Sequence, residues 1–196
     1  MPVTLPMPTT HDPAHDVHLY ESSPLLCGRV ARFIADGIRL REAVVAIVTP
    51  VHHALIVEHL LAMNIDVRQA VAARALQLLD ADDVLGLFMT DHGPDPTLFR
   101  EHVGQVMREA LESRSPARMR VYGEMADLLC QRGLREQAVQ LETLGNELAS
   151  AIDVTILCAY AASHFPKHIL PDDIVVQHTH VVTAAGERVR VSVTRA

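Results

Sequence analysis

The sequence has little cysteine and no long hydrophobic run. Its cysteines, Cys27, Cys130 and Cys158, lie far apart, and no Cys-x-x-Cys pair occurs. This pattern argues against a zinc knuckle and against a disulfide framework, and it favours a reducing, cytoplasmic compartment. A helix that spans a bilayer needs about 20 apolar residues, and the apolar runs here are much shorter. We therefore expect no association with a membrane.

Positive charge is also scarce. Lysine and arginine together number 17 against 24 aspartate and glutamate residues, which gives a formal net charge of −7. Because a negative chain repels the phosphate backbone of nucleic acids, we do not expect direct nucleic-acid binding. Residues 1–16 contain four prolines, but neither the basic nor the apolar region of a signal peptide. We predict a mobile tail over 1–16 and a single domain over 17–196.

Two signatures of enzymes are missing. No Gly-x-Ser-x-Gly elbow occurs, so hydrolase chemistry is not indicated. The first core strand, residues 42–49, runs through Pro50 into a helix, where nucleotide-binding proteins place a glycine-rich loop and a lysine for the phosphates. Residues 49–53 contain neither glycine nor lysine. We interpret the chain as a binding or sensing protein, not an enzyme.

Hydrophobic periodicity predicts strands that alternate with helices. Strands are predicted within 17–23 and at 43–49, 75–80, 118–122 and 154–160, with a terminal hairpin at 179–183 and 188–194. Helices are predicted at 22–35, 51–63, 67–74, 84–89, 97–112, 126–132, 135–150 and 171–178. This alternation predicts an α/β fold, in which a mainly parallel sheet has helices on both faces and a C-terminal antiparallel hairpin extends one edge.

Ligands of open parallel sheets bind in the crevice beyond the carboxyl ends of the strands. Glu124 is the strongest candidate there, because it follows a predicted strand through Gly123. It is either a ligand contact or a carboxylate that stabilises a helix N-terminus by about 0.3–1 kcal/mol. The candidate ligand-binding residues are His18, Tyr20, Thr49, His52, Glu124, Met125, Cys158, Tyr160 and His178. Methionines and leucines would line the remainder, although core packing also explains them, as it does a buried Cys158.

Histidine is abundant, with 12 residues, but its spacing is unfavourable for a metal site. The pairs are His52 with His59, His164 with His168, and His178 with His180. The first pair is seven residues apart, whereas helical metal pairs are usually four apart. Pro166 interrupts the second pair. The third pair would share one face of a strand if that segment is extended, so a zinc site there is the minor alternative. We predict no metal ligands, no catalytic residues and no cofactor.

Several short segments, taken in order, resemble the MEDS family, the sensory domain of methanogens, methylotrophs and the dichloromethane regulator DcmR. The segments are 18–21, 46–52, 79–81, 120–129, 141–148, 157–160 and 178–181, so the resemblance covers roughly residues 17 to 183. It implies a degenerate RecA/KaiC-like fold without a phosphate loop. It also implies a sensor of small molecules such as hydrocarbon derivatives, and it supplies no catalytic residues. Gly145 occupies a position where the resemblance leads us to expect a bulky residue, so it would either enlarge a cavity or loosen the helix by about 1 kcal/mol relative to alanine.

Family members are expected to pass their signal to fused kinase or DNA-binding domains, but this chain shows neither a kinase nor a helix-turn-helix segment. Our leading hypothesis is a cytoplasmic sensory or regulatory module of signal transduction or transcription control. It would bind a small, largely apolar ligand and act through a regulatory protein partner, with a homodimer left open. The alternatives are a ligand-free interaction regulator and a residual nucleotide binder.

Overall fold

The computed structural model of the protein describes residues 14–112 and 118–192. Its strands are β1 (Ala14–Tyr20), β2 (Ala43–Val48), β3 (Leu76–Asp80), β4 (Met89–Thr90), β5 (Gly93–Pro94), β6 (Arg118–Gly123), β7 (Asp153–Ala161), β8 (His180–Val182) and β9 (Arg188–Arg190). Its helices are α1 (Ser23–Arg39), α2 (Pro50–Ala62), α3 (Val67–Ala72), α4 (Ala81–Gly86), α5 (Pro96–Leu111), α6 (Met125–Gln131), α7 (Arg135–Ala149) and α8 (Asp172–Val175). Two short 3-10 turns, Ala162–His164 and Pro166–His168, follow β7.

Seven of the strands form one sheet in the order β3-β2-β6-β7-β1-β8-β9. Neighbouring strands run parallel except β8 and β9, which form an antiparallel pair at one edge. The predicted α/β fold class, with a mainly parallel sheet and a terminal antiparallel hairpin, is confirmed. None of the helices within the described ranges is both long and apolar enough to cross a bilayer.

Each face of the sheet carries its own hydrophobic core. Along β2 successive side chains point to opposite faces, so Val45 and Ile47 join the core under α4 to α7. Val44, Ala46 and Val48 join the core under α1 to α3. This two-sided burial explains why the sequence of β2 is apolar throughout and does not alternate with polar residues.

The position of β1 differs from the prediction. The strand begins at Ala14, three residues earlier than expected, so His15 and Asp16 belong to the sheet and not to the predicted tail. Both are buried, and Asp16 is paired with Arg188 at 2.7 Å and His180 at 3.1 Å. The local sequence pattern could not predict their burial, because the residues that pair with Asp16 lie far away in the sequence. Residues 1–13 of that tail lie outside the described ranges.

Because β1 is an interior strand of the sheet, the connection at Thr49 is not the first connection from a strand to a helix. β1 lies between β7 and β8, so the first strand-to-helix connection is Tyr20 to Ser23, and the connection at Thr49 is the second. The intervening residues are Glu21 and Ser22. This first connection also lacks glycine and lysine, so the absence of a phosphate-binding loop holds for both.

Candidate functional site

The carboxylate of Glu124 lies where the connections after β2 and β6 meet. These strands are adjacent and parallel, so their carboxyl ends lie side by side. Glu124 is buried, and its Oε2 accepts a hydrogen bond from the backbone N–H of Thr49 at 2.7 Å. Its Oε1 accepts one from the hydroxyl of Tyr122 at 2.9 Å and contacts Nδ1 of His52 at 2.8 Å. Three protein groups therefore hold this carboxylate in one orientation.

His52 connects Glu124 to the start of α1. Pro50 is the first residue of α2, a favoured position for proline, and this places His52 in the first turn. The Nε2 atom of His52 lies 2.9 Å from Oγ of Ser23. The hydrogen bond to Glu124 raises the pKa of His52 above its ordinary value and outweighs the opposing effect of burial. The histidine therefore joins the connections after β1, β2 and β6.

A second carboxylate, Asp127, lies one helical turn beyond Glu124. It accepts hydrogen bonds from the hydroxyl of Tyr20 at 3.0 Å and the backbone N–H of Ala161 at 3.0 Å. Nδ1 of His164 lies 2.8 Å from Asp127 Oδ1. Burial raises the pKa of Asp127, although its hydrogen-bond partners and His164 oppose this effect. We had not predicted a role for Asp127; its three-residue spacing from Glu124 was the available signal.

Together these groups line an open crevice at the carboxyl edge of the sheet. Its charged lining includes the carboxylates of Glu21, Glu124 and Asp127, and none of the lining residues within the described ranges is a lysine or an arginine. Nucleotide phosphates need backbone amides and cations. The crevice therefore offers poor chemistry for a triphosphate, and its polar groups already bind one another.

A separate apolar pocket lies between the sheet and helices α5, α6 and α7. It has a volume of about 70 Å³. Its apolar lining comes from Ile47, Phe99, Val103, Met107, Val121, Met125, Ala126, Leu141, Leu148 and Ile156. Three residues, His15, Glu142 and Cys158, form a polar end. The pocket thus combines a mainly hydrophobic wall with a few convergent polar groups, as small-molecule sites do.

Two glycines keep this pocket open. Gly123 ends β6 and Gly145 lies within α7, and both line the pocket. A Cβ atom added to either residue would meet no heavy atom within 4 Å. A larger residue at Gly145 would therefore occupy the space itself, which agrees with the expectation that Gly145 enlarges a cavity.

The predicted ligand-binding residues are divided between these regions. Tyr20, Thr49, His52 and Glu124 line the crevice. Met125 and Cys158 line the apolar pocket. The side chains of Tyr160 and His178 contact Glu142 instead. The prediction of one continuous site at the strand ends is therefore replaced by two neighbouring regions.

Tyr160 and His18 do not line the crevice because each lies before the last residue of its strand, whereas Tyr20 is the last residue of β1. β7 continues to Ala161, so the side chain of Tyr160 stands perpendicular to the sheet and is fully buried in the core. In β1, the ring of His18 is buried and its Nδ1 lies 2.9 Å from the carbonyl oxygen of Val182. Burial lowers the pKa of His18. Neither side chain reaches a ligand bound at the strand ends.

Glu142 is the centre of a buried polar group that we call the Glu142 cluster, formed by His15, Glu142, Cys158 and His178. Oε2 of Glu142 lies 3.2 Å from His15 Nε2 and 3.5 Å from Cys158 Sγ. Its Oε1 accepts a hydrogen bond from Tyr160 and lies 3.6 Å from His178 Nε2. Burial alone would raise the pKa of Glu142, but the two histidines hold it well below its usual range.

Sequence reasoning missed two members of this cluster. His15 falls within the predicted tail, and Glu142 belongs to the segment 141–148, which carries only the resemblance to the family. A signal did exist, because Glu142 lies among Ala138, Leu141 and Leu144 on the buried face of α7, and an acidic residue on an apolar face needs a partner. His178 was paired with His180, but His180 contacts Asp16 and not the cluster.

Comparison with known proteins agrees with the resemblance found in the sequence. The model of the family MEDS, the MEthanogen/methylotroph, DcmR Sensory domain, matches residues 14–179. No curated protein matches the chain. Among solved structures, the flagellar accessory protein FlaH from Methanocaldococcus jannaschii aligns with a TM-score of 0.45 and 13% sequence identity. The alignment covers 89% of this chain and 76% of that one.

Proposed function

The chain belongs to the MEDS family of sensory domains, and from this premise we propose that it is a non-enzymatic sensory or regulatory module. It binds a small, largely apolar molecule in the pocket between the sheet and α5, α6 and α7. A protein partner receives the signal and carries it into signal transduction or transcription control. The observation that supports this proposal best is the apolar pocket that Gly123 and Gly145 leave open.

The pocket volume restricts the size of the ligand. An apolar protein cavity of about 150 Å³ holds benzene, whereas this pocket measures about 70 Å³. A molecule of about one to three carbon atoms, with or without halogen substituents, fits that space. Burial of its apolar surface at about 25 cal/mol per Å² drives binding, and the polar end at His15, Glu142 and Cys158 orients a polarised bond or small polar group.

The connection between β6 and α6 offers a route from the pocket to the crevice. Gly123 and Met125 line the pocket, while Glu124 between them lines the crevice and holds Thr49 and His52. A ligand that contacts Met125 therefore acts on the backbone that positions Glu124. A signal follows if the ligand binds one arrangement of this connection more tightly than another. The partner then recognises the crevice surface.

Thermal unfolding in the presence of one- to three-carbon organics, chlorinated and unsubstituted, tests the proposal. At least one compound should raise the melting temperature of the wild-type protein, because a ligand that binds only the native state stabilises it. The same compound should lose its effect in Gly145→Leu, whose side chain occupies the pocket. A screen without any stabilising compound, or stabilisation that Gly145→Leu leaves intact, would contradict the proposal.

A ligand-free interaction regulator is the second candidate, and one surface favours it. The face formed by α2 and α3 exposes the apolar side chains of Leu61 and Val71, which lie with Val57, Ile65 and Val67 along an open groove. Exposed apolar patches of this kind often mark protein contacts. Size-exclusion chromatography with light scattering, combined with the thermal screen, decides between the two candidates. A monomer that organics stabilise supports sensing. An obligate complex that does not respond to them supports the alternative.

A further inference from the structure

The Glu142 cluster brings together four side chains that are far apart in the sequence. They come from β1, α7, β7 and the segment before β8, and all four are buried. One ligand atom of each residue lies within 4.8 Å of the corresponding atom of every other. Several spacings are shorter, at 3.2 Å between His15 Nε2 and Cys158 Sγ and 3.2 Å between His15 Nε2 and Glu142 Oε2.

In His15 and His178, the ring nitrogen Nδ1 faces away from the cluster and is hydrogen-bonded to an oxygen acceptor. Nδ1 of His178 lies 2.8 Å from the carbonyl oxygen of Ile174, and a carbonyl can only accept, so this nitrogen carries the proton. Nδ1 of His15 lies 2.8 Å from Oδ1 of Asn146, whose amide nitrogen donates to the carbonyl of Gln177 at 2.8 Å. In the neutral form of each ring, the lone pair is then on Nε2 and faces the cluster. Metal-binding histidines are oriented in this way by their surroundings.

His178 provides an independent sign that a ligand belongs here. Its Nε2 is buried and has no hydrogen-bond partner among the described residues, since Glu142 Oε1 at 3.6 Å is too distant. Buried polar nitrogens are rarely left in this state, because losing water without a replacement is costly. This atom faces Glu142 Oε1 across 3.6 Å, and an ion bound beside Glu142 would give it the bond that it lacks.

We propose that the Glu142 cluster binds one divalent transition-metal ion of the zinc class through His15 Nε2, Glu142 Oε2, Cys158 Sγ and His178 Nε2. Zinc takes four nitrogen, sulfur and oxygen ligands in a tetrahedron with bonds of about 2.0–2.3 Å. Such bonds place neighbouring ligand atoms about 3.3–3.7 Å apart, which is close to the shorter spacings in the cluster. Magnesium and calcium are disfavoured because they require oxygen ligands.

Tyr160 orients the carboxylate for this role. Its hydroxyl donates to Glu142 Oε1, which leaves Oε2 directed at His15 and Cys158. Because His15, Glu142 and Cys158 also form the polar end of the apolar pocket, the ion would lie at that end. The metal site does not depend on the proposed sensing of organics, and each can be tested without the other.

Cobalt spectroscopy of the full chain tests the site. Protein treated with a chelator is titrated with CoCl₂, which reports tetrahedral geometry through intense visible bands and thiolate ligation through a charge-transfer band. We expect one equivalent of Co²⁺ to produce both signals and one equivalent of ZnCl₂ to remove them. Cys158→Ser should abolish the charge-transfer band, and His178→Gln should weaken cobalt binding at least 10-fold. Cys27→Ser, which changes a buried cysteine on the opposite face of the sheet, should change neither.

Circular dichroism of each protein without metal shows whether the variant is folded. If Cys158→Ser does not fold, His178→Gln alone decides through its affinity for zinc measured by calorimetry. The proposal is overturned if cobalt gives no charge-transfer band with folded wild-type protein. It is equally overturned if the band persists in Cys158→Ser, or if His178→Gln binds zinc as tightly as the wild type. None of these readouts uses an organic ligand, so their failure leaves the sensing proposal standing.

Discussion

Replacement of Gly145 by alanine should stabilise the protein without ligand and weaken its response to ligand. Gly145 lies within α7, in the run from Arg135 to Ala149, where glycine is less favourable than alanine by about 1 kcal/mol. The new Cβ would meet no heavy atom within 4 Å, so no clash offsets this gain. We expect the free energy of unfolding to rise by about 1 kcal/mol, which for a domain of this size raises the melting temperature by about 2–4 °C.

Urea denaturation followed by circular dichroism measures this change, with Gly86→Ala as the matched control. Gly86 ends α4, is exposed, and also has no neighbour within 4 Å of an added Cβ. The control should give a smaller gain and leave the response to organics unchanged, whereas Gly145→Ala should reduce that response. A loss of stability in Gly145→Ala would show that the space beside α7 is filled, and the assignment of the pocket would fail.

Three further predictions concern the crevice and the buried ion pairs. His52→Ala should lower the unfolding free energy by about 1–3 kcal/mol in urea titrations, because the buried Glu124 loses one of its partners. Glu124 raises the pKa of His52 in the folded protein, so protonated His52 stabilises the fold. This stabilisation should be complete below about pH 6.5 and should be lost as pH rises through the folded pKa. Arg120→Met should cost about 3–5 kcal/mol, because Glu42 and Arg120 are a buried ion pair. Calorimetric titration with ATP and magnesium should detect no binding.

Matched surface variants serve as controls for these predictions. His53 is exposed beside His52 on α2, so His53→Ala should change stability by less than about 0.5 kcal/mol. Arg132 forms an ion pair with Asp82 at 2.6 Å, but both side chains are largely solvent-exposed. Arg132→Met should therefore cost no more than about 1 kcal/mol. Equal losses of stability in His52→Ala and His53→Ala, or in Arg120→Met and Arg132→Met, would contradict the reasoning. A pH-independent effect of His52→Ala would also contradict it.

The sequence predicts the fold class because the relevant signals are local. The continuous apolar run of β2 and the helical spacing in α5 identify a buried parallel strand and a covering helix without any knowledge of their neighbours. Glu124 could be located for the same reason, since a strand, a glycine and a helix start follow one another in the chain. The local sequence pattern therefore predicts part of the crevice.

The Glu142 cluster could not be predicted in this way. His15 and His178 are close only because β1 pairs with both β7 and β8, a pairing that depends on the order of strands in the sheet. The direction of a side chain also matters: Cys158 and Tyr160 reach Glu142 because both point to the same face of β7. Spacing between histidines in the sequence carries no information about such an arrangement.

The interior position of β1 has a consequence for how the chain matures. Within the sheet, β1 is translated first, yet its neighbours β7 and β8 are translated only after β2, β3 and β6. Until β7 and β8 have been translated, neither backbone edge of β1 has its partner strand. Nascent chains with such distant pairings fold slowly and are prone to aggregate, so efficient production of this protein should depend on protection of β1 until β7 and β8 have been translated.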